Sequence, residues 1–301
     1  NRALVSQGLK IMATRGNVGL KALSDVAGIS ETPGTYHAGF LLGPRVNAGG
    51  RVGRSEAGTI LLSTDDEEEA VKISSELNTY NAERQAIEAM VLEDAMDQVS
   101  QKIGPGGIVP PIIIASGHGW HPGVIGIVAG RLKEHFRRPT IIIAIDENGD
   151  AKGSGRSITG VDLGSAITAA RQAEILTAGG GHAMAAGLSM RGEQIDALNE
   201  FLTDRLRINV DDAVKSLSLK LDGVLSLSAV KPDLVHMLDQ IGPFGQGNAG
   251  PRFAFSDAFV SYVDVVGKDH VKCSFKGGDG CTVKAMAFRS ADKPLGRLLL
   301  D

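Results

Sequence analysis

Cysteine is scarce in this 301-residue chain: Cys273 and Cys281, on either side of a glycine turn, are the only two. They could pair across that turn, but so low a count fits a reducing, cytoplasmic compartment better than a disulfide scaffold. Aromatic residues make up only 4% of the sequence, with a single tryptophan, Trp120, so ring platforms for flat ligands must be sparse. No apolar run approaches the ~20 residues needed to span a bilayer, and no basic-then-apolar leader opens the chain. A formal net charge of −4 gives no bulk attraction to polyanions. Any such binding must rest on local clusters of Arg and Lys. There is no Walker lysine-serine signature, no nucleophile elbow and no acidic constellation suited to catalytic metals. The run Asp65, Asp66 and Glu67–Glu69 reads as a dipole-matched helix start. The chain opens at Asn1 rather than methionine and closes at Asp301 in what reads as unfinished β structure, so a fragment is expected.

Glycine, by contrast, is abundant. The segment Gly179-Gly180-Gly181-His182-Ala183-Met184-Ala185-Ala186-Gly187 sets one histidine among side chains of little bulk. Consecutive glycines cost backbone entropy, and a fold tolerates them where the backbone turns tightly or something must approach it. Bare N–H groups of this kind suit an anion such as a phosphate.

The pattern along the chain divides it. Helical spacing over Asn1–Ile29 precedes a glycine- and arginine-rich loop at 43–54. From Thr64, expected as the N-cap, Ile73, Leu77, Tyr80, Ile87, Val91 and Ala95 recur at helical period to about Lys102. A helix of ~38 residues would run roughly 57 Å, a connector between domains. Beyond Gly104-Pro105-Gly106-Gly107, strands at Ile112–Ala115, Thr140–Ile145 and Lys152–Ile158 alternate with helices at Gly123–Phe136, Leu163–Leu176 and Glu193–Leu206. This is an α/β domain. From about Asp211 come a strand-like stretch at Leu217–Leu227 and a helix near Lys231–Gln240. Short β runs follow at Phe253–Val266, His270–Phe275 and Thr282–Phe288, suiting a small barrel or meander.

Three further segments could carry chemistry. Gly43–Arg54 puts Arg45, Arg51 and Arg54 among glycines, and guanidinium donors match phosphate oxygens; a flexible, solvated surface loop would look the same. His118-Gly119-Trp120-His121-Pro122-Gly123 joins a strand to a helix at a strand's carboxyl end, where open α/β sheets bind ligands. Its two histidines could ligate a metal, but no Cys, Asp or Glu lies nearby in sequence, and packing of the tryptophan with His121 ordering the turn is the stronger reading. In Lys152–Ser157, Ser154 and Arg156 share one face of a strand, with Gly153, Gly155 and Ser157 on the other. They form either a phosphate clamp or an exposed polar edge.

In this order, these segments resemble the RecJ-type exonucleases of the DHH phosphoesterase superfamily. The resemblance rests on Gly43–Gly53; on Asn78, Asn81, Arg84 and Glu88; on Trp120–Val128; on Gly153–Ser157 and Gly180–Gly187; and on Ile241–Asn248. It implies an α/β fold: a DHH-associated domain preceded by a long connector helix and followed by a partial OB-fold barrel. The implied boundaries are 1–63 for the end of a DHH domain, 64–103 for the helix, 104–210 for the substrate-binding domain and 211–301 for the OB-fold. The implied activity is 5′→3′ digestion of single-stranded DNA in recombination and repair. Mn2+ or Mg2+ would be held by a DHH segment preceding Asn1, with no metal ligand in this chain, which alone should be inactive. The implied substrate is single-stranded DNA bearing a 5′-phosphate, and the implied partners are a single-stranded-DNA-binding protein and a helicase, with no membrane. By the same resemblance Ser154 and Arg156 would hold the terminal 5′-phosphate, with Arg51 or Arg45 adding to the pocket. Asn47, Trp120, His121 and Ser157 would line the substrate path, and His182, with Gly180 and Gly181, would act at the scissile phosphate. Phe244, Phe253 and Phe255 are the few candidates for base stacking, core packing being the simpler fate of the last two. The alternatives are a non-catalytic single-strand-binding module and a DHH-type phosphoesterase of short oligonucleotides.

Overall fold

The computed structural model describes residues 1–245 and 247–301. Two compact units make up the chain: one is Ile11–Leu217, the other joins Asn1–Lys10 to Ser218–Asp301. Gln246, within the glycine loop that contributes to the family resemblance, lies outside the described residues.

Helix α1 spans Arg2–Thr14. In the larger unit, α2 (Val18–Val26), α3 (Gly43–Val52) and α4 (Ala57–Ser63) pack against the first half of α5 (Glu67–Ile103). The expected loop at 43–54 is therefore a helix, preceded by a π-helical stretch over His37–Leu42. Pro44 in its first turn has the φ a helix start needs. Gly49 serves close packing rather than freedom: a Cβ there would fall 2.4 Å from the Arg54 carbonyl oxygen. The 37-residue α5 matches the expected helix almost residue for residue, but its N-cap is Asp66, not Thr64. The Asp66 carboxylate accepts from the backbone N–H groups of Glu68 (2.8 Å) and Glu69 (3.1 Å). A carboxylate at this end also meets the positive pole of the helix.

The second half of α5 carries Val91, Ala95 and Val99 into another core. There a five-stranded sheet is ordered β1 (Ile113–His118), β2 (Thr140–Ile145), β3 (Asp150–Arg156), β5 (Ala185–Arg191), β4 (Ala178–His182). β1 and β2 are parallel and the remaining pairs antiparallel. Helix α6 (Pro122–Phe136) and α5 cover one face; α7 (Leu163–Gln172) and α8 (Ile195–Lys215) cover the other. Ile141 and Ile143 face α7 and α8, while Ile142 and Ala144 face α6. Burial on both sides explains why these strands read as continuous apolar runs. The glycine-histidine segment is a hairpin, β4–β5, whose lack of β-branched residues hid both strands.

In the smaller unit, β8 (Ala258–Val266), β9 (His270–Gly277) and β10 (Thr282–Ala287) form the expected meander. β6 (Gly223–Leu225) pairs with β7 (Phe253–Phe255), and α9 (Pro232–Gln240) lies between them in sequence. Only three residues of the strand expected at Leu217–Leu227 form one. The residues before Asp301 form a helix, α10 (Pro294–Leu300), rather than β structure. Cys273 and Cys281 are both free thiols.

Candidate functional site

Strand β3 runs across the middle of the sheet, so alternate residues face opposite layers. Ala151, Gly153 and Gly155 are buried, and Lys152, Ser154 and Arg156 face the α6 side. The Arg156 guanidinium donates to Ser154 Oγ (3.2 Å) and to the Gly155 carbonyl (2.8 Å). Burial pushes the Arg156 pKa down, and the nearby Arg51 guanidinium pushes it the same way. Two cations near enough to repel one another favour an anion between them.

Arg51 reaches this region from the last turn of α3. Its Nη1 donates to the Gly123 carbonyl at 2.9 Å, tying α3 to the first turn of α6. Beside it opens a cleft of about 380 Å³ lined by Gly43, Asn47, Arg51, Arg84, Glu88 and Arg131, among others. Its floor is an ionic network along α5. Glu88 accepts from Arg84 and from Arg131 Nε (3.0 Å), and Arg84 Nη2 donates to Asn81 Oδ1 (2.9 Å). Asn81, Arg84 and Glu88 are all buried. Arg84 Nε is buried without a hydrogen-bond partner.

On the other side of Ser154 the sheet is bare. The register aligns Ser154 with Gly187 and Gly187 with Gly180, and aligns Arg156 with Ala185 and Ala185 with His182. Residues directly opposite in a ladder share a face, so Ser154, Arg156 and His182 border one surface whose middle is glycine. A Cβ at Gly180 or Gly187 would meet nothing within 4 Å. Gly181 belongs to the opposite face, where a Cβ would fall 2.3 Å from the Ala185 carbonyl oxygen. His182, at the hairpin end, also borders a polar cleft with Asp162, Ser165 and Arg205.

Besides Gly181, four expected site residues stand apart from this surface. Ser157 is buried, and its hydroxyl donates to the Val161 carbonyl at 2.7 Å. Trp120 is buried against Gly117, its indole N–H donating to Asp94 Oδ2 at 2.9 Å. His121 caps α6, Nδ1 accepting from the Gly123 N–H at 3.0 Å. Arg45 braces α3 on α5 through Asn78 Oδ1 (3.0 Å), donates also to the Leu41 carbonyl one turn earlier (2.8 Å), and burial pushes its pKa down. Arg131 was not singled out in the sequence, although it lies four residues after Ile127, and both line the cleft.

His118 and His121 share a cavity of about 420 Å³ with Asp146, Glu147, Asp150 and Lys152. Yet among the described residues no three His, Cys, Asp or Glu side chains are grouped as metal ligands. The donors grouped among the described residues do not fit a divalent ion.

Residues 110–208 match the DHHA1 domain family, and residues 221–298 match the RecJ OB domain family. The chain is 32% identical over 281 residues to the single-stranded-DNA-specific exonuclease RecJ of Bacillus subtilis, covering 92% of this chain and 35% of that protein. RecJ from Thermus thermophilus in complex with Mn2+ superposes with a TM-score of 0.74 at 28% identity, over 96% of this chain and 41% of the other. Its Mg2+ complex gives 0.72 at the same identity, over 96% and 43%. The chain thus spans well under half the length of these relatives.

Proposed function

Because this chain, with a DHHA1 domain followed by a RecJ OB domain, belongs to the RecJ family, we propose that it forms the substrate-binding part of a single-stranded-DNA-specific 5′→3′ exonuclease of recombination and repair. The observation that carries this reading is the pairing of Ser154 and Arg156 on an open glycine surface, with Arg51 close enough to perturb Arg156. A terminal 5′-phosphate carries about two negative charges and three acceptor oxygens. It would accept from the Arg156 and Arg51 guanidiniums and the Ser154 hydroxyl, and would relieve the repulsion between the two arginines. The next phosphodiesters would lie over Gly187 and Gly180, where no side chain stands in the way. His182 would meet the phosphate to be cleaved. Asn47, Arg84 and Arg131 would hold the strand in the adjoining cleft.

Manganese or magnesium, which the relatives' crystal structures contain, would be held by residues other than those described. A single-stranded-DNA-binding protein and a helicase are the partners this activity would call for.

Arg156→Ala tests the reading. Charge-assisted hydrogen bonds contribute about 1.5–3 kcal/mol each, so the variant should lose about 10- to 100-fold in affinity for 5′-phosphorylated single strands. Affinity for 5′-hydroxyl strands should change little. Fluorescence anisotropy with the two oligonucleotides measures both, and an unchanged phosphate preference rules out the clamp.

A further inference from the structure

We propose that Gly126 of α6 is a positioning residue, its missing side chain being the seat on which the Ser154–Arg156 pair rests. This rests on the reading of that pair as a 5′-phosphate clamp. A Cβ at Gly126 would fall 2.9 Å from Arg156 Nη2, 2.9 Å from Ser154 Oγ and 3.6 Å from Arg156 Cζ. The hydroxyl and the guanidinium therefore both lie directly on the helix backbone. They are confined on that side and open towards Gly187 and Gly180, where an added Cβ meets nothing. Gly123, one turn earlier, is bare for another reason: a Cβ there would fall 2.5 Å from the Arg51 backbone carbonyl oxygen, so it lets α3 approach rather than seating a guanidinium.

What a methyl at 126 would displace decides its effect. Both close neighbours are the far ends of side chains, not backbone, so the fold can absorb the methyl by moving the clamp. Carbon contacts relax to about 3.5 Å, so the guanidinium and hydroxyl must retreat by about half an ångström. Binding constellations tolerate displacements only up to about that size. Alanine is also the better helix former, by about 1 kcal/mol over glycine. The substitution therefore separates the site from the fold.

Gly130, on the same helix, supplies the matched control, since a Cβ there meets nothing within 4 Å. G126A, G130A and R156A are compared in the full chain, by anisotropy with 5′-phosphorylated and 5′-hydroxyl oligonucleotides and by thermal melting. The expected result is that G126A lowers the preference for the phosphorylated end about tenfold without lowering Tm, whereas G130A keeps the preference. If R156A loses the preference and G126A keeps it, the clamp stands and the seat is refuted. If R156A keeps it as well, the reading of the clamp fails and the seat fails with it. A G126A protein that does not fold also overturns the proposal, because the methyl was then not absorbed by side-chain ends.

Discussion

Glu88→Ala should destabilise the Ile11–Leu217 unit by about 3–5 kcal/mol, the cost of leaving one partner of a buried ion pair behind. Arg84 is buried and already has one unpartnered nitrogen, so losing the carboxylate strands a guanidinium among α5, α3 and α6. Arg131 loses its partner too, but its side chain is 60% exposed and water can take over there. The deficit thus falls almost wholly on Arg84. Urea unfolding should register it, and a unit of this size should melt roughly 6–20 °C lower. Replacing Arg84 and Glu88 together by Met and Leu should recover most of the loss, because the network is held by mutual satisfaction rather than by net attraction. A single-variant cost below about 1 kcal/mol, or a double variant as unstable as E88A, would contradict this account.

Trp120→Ala is expected to cost a similar amount, about 3–5 kcal/mol, for a different reason. The indole fills the space above Gly117, where a Cβ would fall only 2.2 Å from the ring. Its removal opens a cavity that the surrounding strand and helix cannot close. Asp94 is exposed and is rehydrated at little cost. Trp120→Phe keeps most of the ring volume, forfeits the single hydrogen bond to Asp94, and should cost about 1 kcal/mol. Neither loss should come from contact with ligand. A folded Trp120→Phe protein should therefore bind single strands as the parent does, and a roughly tenfold weaker Kd would return Trp120 to the substrate path.

The residues that could be read from sequence are those whose pattern has a single structural outcome. The stripe from Ile73 to Ala95 has only one regular geometry that buries it, so α5 was legible nearly to its ends. Ser154 and Arg156 alternate with glycines, and strand geometry alone puts them side by side. The glycine-rich segments were ambiguous because glycine reports that something comes close without saying what. At 43–53 Gly49 packs on the Arg54 carbonyl and Gly53 on the Tyr80 ring, contacts that a loop and a helix share, so the glycines hide α3. At 178–191 Gly181 meets the neighbouring strand, while Gly180 and Gly187 face open space, and neither signal marks a hairpin. Trp120 and His121 sit at the strand end where ligands bind in such folds, yet the Trp120 indole N–H goes to Asp94 and His121 Nδ1 to a helix cap. Only hydrogen-bond partners, which sequence does not display, separate those two uses.

Helix α5 acts as a ruler. Ala70, Ile73 and Leu77 index it to one core, Val91, Ala95 and Val99 to another, and Arg84 and Glu88 stand between them at the cleft. One residue inserted between Leu77 and Val91 would advance the far half by about 1.5 Å and turn it by about 100°. That would aim its apolar stripe away from the sheet and carry the β3 clamp out of line with Arg51. The same insertion at Gly104–Gly107, beyond the last marked position, would leave both alignments intact. The spacing between Leu77 and Val91 is therefore fixed to the residue, while the loop beyond α5 is not.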